Sequence, residues 1–259
     1  MLSFKNINIV AGILFLAFVG LGLLIHLSFF YVLIPFFGWI IFTVIGSFNF
    51  ELNYFLKAKH HNHATDKSAI SLTFDDGPHP EFTSKVLDLL KSDNAKASFF
   101  LIGKNAEKYP ELVKQIIAEG HVIGSHSYVH TNNYGFLSRN KVTKDIMKSQ
   151  KVLFDITKKR AQFFRPPFGV TNPNIARAVK NLSLKTFGWS VRSYDTAAKN
   201  SEGVIKKITT NLKKGDIILL HDTSELSVEI LEKLLKYLKT KNMNSVTLST
   251  LFNIDSYEA

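Results

Sequence analysis

The chain has 259 residues, which is enough for one sizeable catalytic domain and a small appendage but not for two full domains. Its formal net charge of +11 is explained by a lysine-rich solvated surface, and the absence of a basic stripe interleaved with aromatic residues argues against nucleic acid as a partner. The sequence contains no cysteine, which excludes disulfides and thiolate metal sites.

The first fifty residues are almost continuously apolar, and Lys5 is their single charged side chain. One straight helix over this stretch would be about 60 Å long, roughly twice the hydrocarbon thickness of a bilayer. We therefore predict that residues 1–50 form a transmembrane hairpin in contact with membrane lipid, with spans at about 7–25 and 29–45. One tilted span or a signal anchor is the alternative; a cleaved signal peptide fits poorly, because no small-residue cleavage site follows a short apolar core.

Residues 51–67 follow the hairpin and are predicted to be a linker, because the sequence at 58–68 is polar. The lysines that flank the hairpin, Lys5, Lys57 and Lys59, weakly favour cytoplasmic flanks by the positive-inside rule, but three charges do not fix its side of the membrane. His60, His61 and His63 could bind a metal ion, but a solvated linker offers no scaffold to orient them. We therefore interpret these histidines as part of the linker.

Residues 68–255 alternate short apolar runs with amphipathic segments, which predicts repeated βα units and a parallel sheet. The predicted strands cover residues 69–74, 97–102, 122–125, 163–164, 185–191, 216–220 and 245–248. The predicted helices cover residues 82–90, 107–119, 139–157, 174–181, 202–212 and 226–239. This pattern favours an α/β barrel, closed or partly closed, and in such barrels the reacting groups collect at the carboxyl ends of the strands.

Two adjacent carboxylates, Asp75 and Asp76, follow the first apolar strand. Two charges beside an apolar core are costly unless a bound cation compensates them. One carboxylate can then bind the metal while the other accepts a proton. A solvated Asp-Gly turn is the alternative, and the pair alone does not exclude it.

Two histidines, His126 and His130, follow the third strand at a spacing that places both imidazoles on one face of a helical turn. Such pairs are common on protein surfaces. An oxygen from Asp76 would complete a set of two histidines and one carboxylate, which leaves open positions for water. This donor set predicts Zn²⁺, and Co²⁺, Mn²⁺ or Ni²⁺ would also suit it.

Three more polar residues follow predicted strands. Arg165 precedes two prolines, which cannot continue a central strand and therefore form a rigid loop. Asp195 lies just past the strand that contains Trp189, and His221 ends a later strand. A lone histidine after a buried strand is usually structural, but the coincidence of five polar elements at strand ends favours an active site.

Four of these segments are specific in sequence and order. They read Thr73-Phe74-Asp75-Asp76-Gly77-Pro78, His126-Ser127-x-x-His130, Arg165-Pro166-Pro167-Phe168-Gly169 and Leu219-x-His221. Together with the segment around Asp195 they resemble the polysaccharide deacetylase family, also called carbohydrate esterase family 4 or the NodB homology domain. The resemblance extends over residues 68–252. It implies a distorted (β/α)7 barrel and metal-dependent hydrolysis of N-acetyl, sometimes O-acetyl, groups on a glycan such as peptidoglycan, chitin or an exopolysaccharide.

The resemblance also implies roles for individual residues. Asp75 would be the catalytic base and His221 the general acid. Arg165 would orient the catalytic carboxylate, and Asp195 would tune the arginine or the histidine. The metal ligands would be Asp76, His126 and His130.

Four residues would lie at the substrate: Leu219, Phe168, Pro167 and Trp189. Leu219 would line the pocket for the acetyl methyl, and Phe168 would offer a backbone N–H to the oxyanion. The chain departs from the family pattern at Thr196, where a tryptophan is common, and at Arg192, where an acid is common. These departures affect the expected glycan preference and leave the expected metal site unchanged.

Two other functions remain open from the sequence. A deacylase of a lipid-linked or small amino sugar would use the same chemistry at the membrane. A non-catalytic carbohydrate-binding barrel would have no need of a base, metal ligands and an acid together. The sequence indicates no obligate protein partner.

Overall fold

The N-terminal part of the chain is a helical hairpin. The computed structural model describes residues 3–26 and 28–258, with the backbone alone for Phe29. The hairpin consists of helix α1 (Phe4–Ile25), a 3-10 turn (Phe29–Val32) and helix α2 (Leu33–Phe48). Both arms are long and apolar enough to cross a membrane by length and composition, properties that signal sequences share. The second helix begins later than predicted because the 3-10 turn occupies the start of the predicted span.

Nine short strands make one parallel sheet in the described residues. They are β1 (Ala58–Lys59), β2 (Ala69–Asp75), β3 (Ala97–Leu101), β4 (Val122–Ser125), β5 (Phe163–Phe164), β6 (Lys185–Phe187), β7 (Val191–Arg192), β8 (Ile217–His221) and β9 (Asn244–Ser245). Their order is β1-β6-β5-β4-β3-β2-β8-β7, and β9 pairs with β2. Three residues join β6, which is next to one end of this order, to β7 at the other end, so the sheet curls into a partly open barrel.

Helices cover the outside of the barrel. They are α3 (Phe82–Ser92), α4 (Gly103–Lys108), α5 (Pro110–Ala118), α6 (Arg139–Thr157), α7 (Pro173–Asn181), α8 (Ser201–Thr209), α9 (Glu225–Thr240) and α10 (Leu248–Phe252). Five of them, α6 to α10, begin at a residue whose side chain accepts a hydrogen bond from a backbone N–H of the first turn. Asn172, for example, accepts a hydrogen bond from the backbone N–H of Ile175, and Pro173 fills the first helical position.

The central strand β2 separates the core from the barrel interior. Its alternate residues Ile70, Leu72 and Phe74 pack in the main apolar cluster, as the two-residue period of a strand requires. Thr73 and Asp75 face the other way and bind the same buried arginine. The predicted α/β barrel, preceded by two apolar helices, is therefore confirmed, and the strand ends form its functional edge.

Three predicted elements differ in detail. The helix predicted over residues 107–119 is two helices, α4 and α5, because Pro110 ends the first and starts the second. The strand predicted over 185–191 is two strands, β6 and β7, which pair with different neighbours. The strand predicted over 245–248 stops at Ser245, because Thr247 caps the short helix α10 by accepting from the N–H of Thr250.

The segment predicted as a solvated linker is in part attached to the barrel. Strand β1 lies parallel to β6 and covers its edge, which would otherwise expose unpaired backbone groups. His61 forms a bridge with Asp216, and Nε2 of His63 lies 2.8 Å from Oδ1 of Asp216. The interpretation of His61 and His63 as part of a solvated linker is therefore wrong. His61 contacts the barrel through backbone pairing, and His63 contacts it through the carboxylate of Asp216.

Candidate active site and metal centre

Asp75 and Asp76, at the carboxyl end of β2, lie in different surroundings. Asp75 ends the strand and is 3% exposed. Asp76 has a positive φ of 74°, and its side chain is 29% exposed. The side-chain amide of Asn105 donates to the backbone carbonyl of Asp76 at 2.9 Å and holds this turn. The turn gives the adjacent carboxylates separate positions in one cleft.

Asp76, His126 and His130 form the three-residue cluster that fits a metal ion in the described part of the chain. One donor atom from each lies within 4.8 Å of the other two. Nε2 of His126 is 3.5 Å and Nε2 of His130 is 3.4 Å from Oδ1 of Asp76, and this oxygen is buried without a hydrogen-bond partner. A partnerless carboxylate oxygen that faces two imidazole nitrogens suits a divalent cation between them. The sequence prediction named the same three residues.

His126 has the protonation and orientation that a metal ligand needs. Its Nδ1 donates to the backbone carbonyl of Arg165 at 2.7 Å, which leaves the lone pair of Nε2 free to face Asp76. Burial lowers the pKa of His126 to about 3, despite the opposing charge of Asp76. The imidazole is therefore neutral at physiological pH, the form that binds metals.

The loop that carries the two histidines is held by Asp145, which the sequence analysis missed. The carboxylate of Asp145 accepts from the backbone N–H of Tyr128 at 2.9 Å and of Val129 at 3.2 Å. The hydroxyl of Ser127 accepts from the N–H of His130 at 3.0 Å. Asp145 lies on α6 beside Ile146, which belongs to the buried stripe of that helix. An acid next to this stripe was the signal available in the sequence.

Arg165 is completely buried beneath Asp75. One of its terminal nitrogens donates to Oδ1 of Asp75 and to the hydroxyl of Thr73, each at 2.8 Å, and the other donates to the carbonyl of Gly188 at 2.7 Å. Burial raises the pKa of Asp75, and the guanidinium charge opposes that rise. Arg165 therefore fixes one carboxylate oxygen of Asp75 and leaves the other facing the cleft.

His221 and Asp195 form a second polar pair at the cleft, and His221 lies beside Asp75 because β8 pairs with β2. Nδ1 of His221 lies 2.8 Å from Oδ1 of Asp195, and the backbone N–H of His221 donates to Oδ2 at 2.7 Å. Burial lowers the pKa of His221, but the hydrogen bond to Asp195 and the charges of Asp195, Asp75 and Asp76 outweigh it and raise the pKa to about 9. The imidazole is therefore protonated at neutral pH, with Nε2 free towards the site.

These side chains line a cleft of about 270 Å³. Leu219 and Trp189 are in its wall, as is Phe168, which has a φ of 58° and packs 4.5 Å from the ring of His130. Pro167 is buried and is not among the described residues that line the cleft, and its contact with substrate stays a prediction. Arg165 and Asp195 lie behind the lining and contact Asp75 and His221, respectively.

Three contacts between a cation and an aromatic ring at the cleft rim were not predicted from the sequence. The guanidinium of Arg192 lies 5.4 Å from the ring of Trp189 and 4.8 Å from the ring of Tyr194. The ammonium of Lys207 lies 3.6 Å from the centroid of the Tyr194 ring. Tyr194 has a positive φ of 60°, a backbone state that sequence periodicity does not reveal. The rim is therefore cationic and aromatic.

Comparison with known proteins gives a consistent set of matches. Residues 62–187 match the family model described as "Polysaccharide deacetylase". A peptidoglycan-N-acetylglucosamine deacetylase from Bacillus cereus is 38% identical over 191 residues, which are 72% of this chain and 69% of that protein. The peptidoglycan-N-acetylglucosamine deacetylase PgdA from Listeria monocytogenes is 36% identical over 189 residues, which are 73% of this chain but 40% of that protein.

A solved structure supports the same relationship. A peptidoglycan N-acetylglucosamine deacetylase, crystallised in complex with a naphthalenyl N-hydroxybenzamide, superposes with a TM-score of 0.73 at 35% identity. The match covers 78% of this chain and 94% of that one. The part of the chain outside the superposition is therefore small.

Proposed function

The chain belongs to the polysaccharide deacetylase family, and from this premise we propose that it removes N-acetyl groups from the amino sugars of peptidoglycan and releases acetate. The observation that carries the proposal is the convergence of Asp75, Asp76, His126, His130 and His221 on one cleft. The named relatives act on peptidoglycan N-acetylglucosamine, and this supports the choice of glycan. The proposed division of the chain is an anchor at 1–50, a connecting segment at 51–67 and a catalytic domain at 68–255.

The proposed cofactor is a divalent cation, with Zn²⁺ preferred and Co²⁺, Mn²⁺ or Ni²⁺ as substitutes. Asp76, His126 and His130 would hold it, because two neutral nitrogens and one carboxylate oxygen are the donor set of catalytic zinc. When bound, the cation would polarise the acetyl carbonyl and lower the pKa of a water molecule.

Asp75 would act as the general base in amide hydrolysis. Its oxygen not held by Arg165 would take a proton from the attacking water, while that water's oxygen bonds to the acetyl carbon. The backbone N–H of Phe168 would stabilise the negative charge that develops on the carbonyl oxygen. Leu219 would contact the acetyl methyl group, and Arg165 would keep the carboxylate in place.

His221 would act as the general acid. Its protonated Nε2 would give a proton to the amide nitrogen as the carbon–nitrogen bond breaks, which yields acetate and a free amino sugar. Asp195 would hold the imidazole through Nδ1 and keep it protonated. The two roles need a carboxylate that is unprotonated and an imidazole that is protonated at the same pH. The charge of Arg165 favours the first against the burial that raises the pKa of Asp75, and Asp195 favours the second.

The hairpin would anchor the enzyme in the cytoplasmic membrane. Both helices have the length and composition of membrane spans, and their two barrel-side ends would leave the bilayer on the same face. Peptidoglycan lies outside that membrane, so the proposal puts the barrel on the outer face. The net positive charge would favour contact with anionic lipid and wall polymer.

Acetate release by the full chain from peptidoglycan and from N-acetylglucosamine oligomers, with Zn²⁺ or Co²⁺ added, tests the proposal. Asp75→Asn is expected to retain the metal and to lose activity by roughly a factor of 100 to 10,000, the usual contribution of a general base. Asp88→Asn, at an exposed position on α3, is the matched control and should keep full activity. Undiminished release by Asp75→Asn would contradict the assigned base, and no release with metal bound would contradict the substrate.

A further inference from the structure

The barrel-side end of the hairpin is bonded directly to the loop that follows the Arg165 motif. The backbone N–H of Thr171 donates to the carbonyl of Ser47 at 2.8 Å, and its hydroxyl lies 3.4 Å from the carbonyls of Gly46 and Ser47. Thr171 is two residues past Gly169, which lines the cleft. The last turn of α2 therefore contacts the active-site loop with no intervening spacer.

Phe50 extends this joint to the wall of the cleft. Its ring is 6% exposed and packs edge-on against Trp189, with ring centroids 5.1 Å apart. A Cβ atom at Gly188 would lie 2.8 Å from the ring of Phe50, and one at Gly169 would collide with Trp189. Glycine at both positions lets the two rings meet, and Gly169 also has a positive φ of 71°. The orientation of the cleft relative to the hairpin is therefore fixed.

The exposed apolar side chains of the barrel are concentrated at the same end. Beyond the hairpin, the large apolar side chains that the structure leaves exposed are Val129, Phe136, Met147, Phe154, Phe168 and Tyr194. All but the two on α6 follow the carboxyl ends of strands, where the hairpin is attached. A glycan in the cleft accounts for Phe168 and Tyr194, which line it. It does not account for Phe136, which is 92% exposed.

Phe136 is held close to the hairpin joint. It ends a 3-10 turn, Tyr134–Phe136, in which the carbonyl of Gly135 accepts from the side-chain amide of Asn172 at 2.6 Å. Asn172 is the neighbour of Thr171, which binds Ser47. Phe136 is therefore connected to Ser47, near the end of a proposed membrane span, through Gly135, Asn172 and Thr171.

From these contacts we propose that the rim of the catalytic cleft rests on the lipid surface, with Phe136 inserted into the bilayer interface beside the hairpin. Aromatic rings prefer this region, where an apolar ring meets polar headgroups. The inference rests on the proposed membrane anchoring. It also narrows the substrate: a cleft fixed to the bilayer surface acts on acetylated amino sugars that are still lipid-linked or newly made beside the membrane, not on distant layers of the wall.

Site-specific labelling of the full chain in vesicles tests the seating of the rim. Because the chain has no cysteine, Phe136→Cys and the control Phe154→Cys each carry a single thiol for an environment-sensitive fluorophore. Phe154 is the matched control because it is also an exposed phenylalanine. It lies near the end of α6, which precedes the amino end of β5, and not at the carboxyl ends of the strands. We expect the label at 136 to be quenched by brominated lipid and shielded from iodide, and the label at 154 to show the reverse. Equal iodide quenching at both positions would overturn the proposal.

Activity on two presentations of the same sugar gives a second readout. Phe136→Ser should lose roughly three- to tenfold in acetate release from an N-acetylglucosaminyl lipid in vesicles, the effect of removing one ring from an interface, and should keep its rate on soluble N-acetylglucosamine oligomers. Phe154→Ser should change neither rate. Equal rates for Phe136→Ser and the parent chain on both substrates would refute the seating. Absence of release from either substrate by the parent chain, with the expected quenching, would instead refute the deacetylase proposal and leave the seating intact.

Discussion

Two histidine-bearing segments of this chain look alike in sequence and differ in what the fold does with them. His60, His61 and His63 lie close together, and the rings of His61 and His63 stack with centroids 4.0 Å apart. Nε2 of His63 binds Asp216. His126 and His130 instead direct their Nε2 atoms at one partnerless oxygen of Asp76. Histidine content is therefore a weak sign of a metal site, whereas convergence on an unsatisfied oxygen is a strong one.

The largest expected effect comes from a comparison in which one histidine is removed from each segment, His126 from one and His61 from the other. His126→Ala should lose the bound metal and about 1,000-fold or more in activity, because removing the nitrogen ligand disrupts the site that activates water. His61→Ala should keep both. Metal content by mass spectrometry, measured with acetate release, checks the pair. Loss of metal in His61→Ala with retention in His126→Ala would reverse the comparison.

A smaller effect is expected from the residue that tunes the acid. In Asp195→Asn the pKa of His221 should fall, because the charge and hydrogen bond that raise it are lost while burial continues to lower it. In the parent chain the protonated acid is lost as the pH rises through about 9. The alkaline limb of the kcat/KM profile should therefore move to lower pH by about one to two units in Asp195→Asn. An unchanged alkaline limb would show that another group produces it.

The smallest effect is expected in the histidine segment that binds the barrel. His63→Ala removes the contact of a partly exposed imidazole with Asp216, whose carboxylate keeps the hydroxyl of Ser190 and the N–H of Lys213 as partners. We expect the free energy of unfolding to fall by less than about 1 kcal/mol, with metal content and kcat unchanged. Denaturant melts of the two proteins measure the difference. A loss of metal here would mean that the two segments are coupled.

Much of the site was predictable because barrel chemistry lies at strand ends, and strand ends are visible in sequence. Asp75, Asp76 and His221 follow apolar runs directly, so locating the strands located them. Arg165 was predictable for the same reason, since two prolines mark the point where its strand must stop. Parallel strands then bring these residues to one edge without any further information.

The remaining features depend on contacts between distant parts of the chain. The segment 185–191 reads as one strand by composition, but its two halves pair with β5 and β8 on opposite sides of the barrel opening. The pairing of β1 with β6 depends on an edge that local sequence does not describe. The contact of Phe50 with Trp189 joins residues separated by most of the chain. Periodicity carries none of this information.

The joint at Phe50 has a practical consequence for handling the enzyme. A soluble fragment that begins at residue 60 would lack Phe50 and strand β1, so the edge of β6 and the face of Trp189 would become solvent-exposed. Exposed strand edges and aromatic surface promote self-association. We therefore expect the excised barrel to aggregate. The newly exposed surface would include Trp189, which lines the active-site cleft. The end of the hairpin and the residues after it pack against the catalytic cleft. The whole protein in detergent or nanodiscs is therefore the suitable material for kinetics.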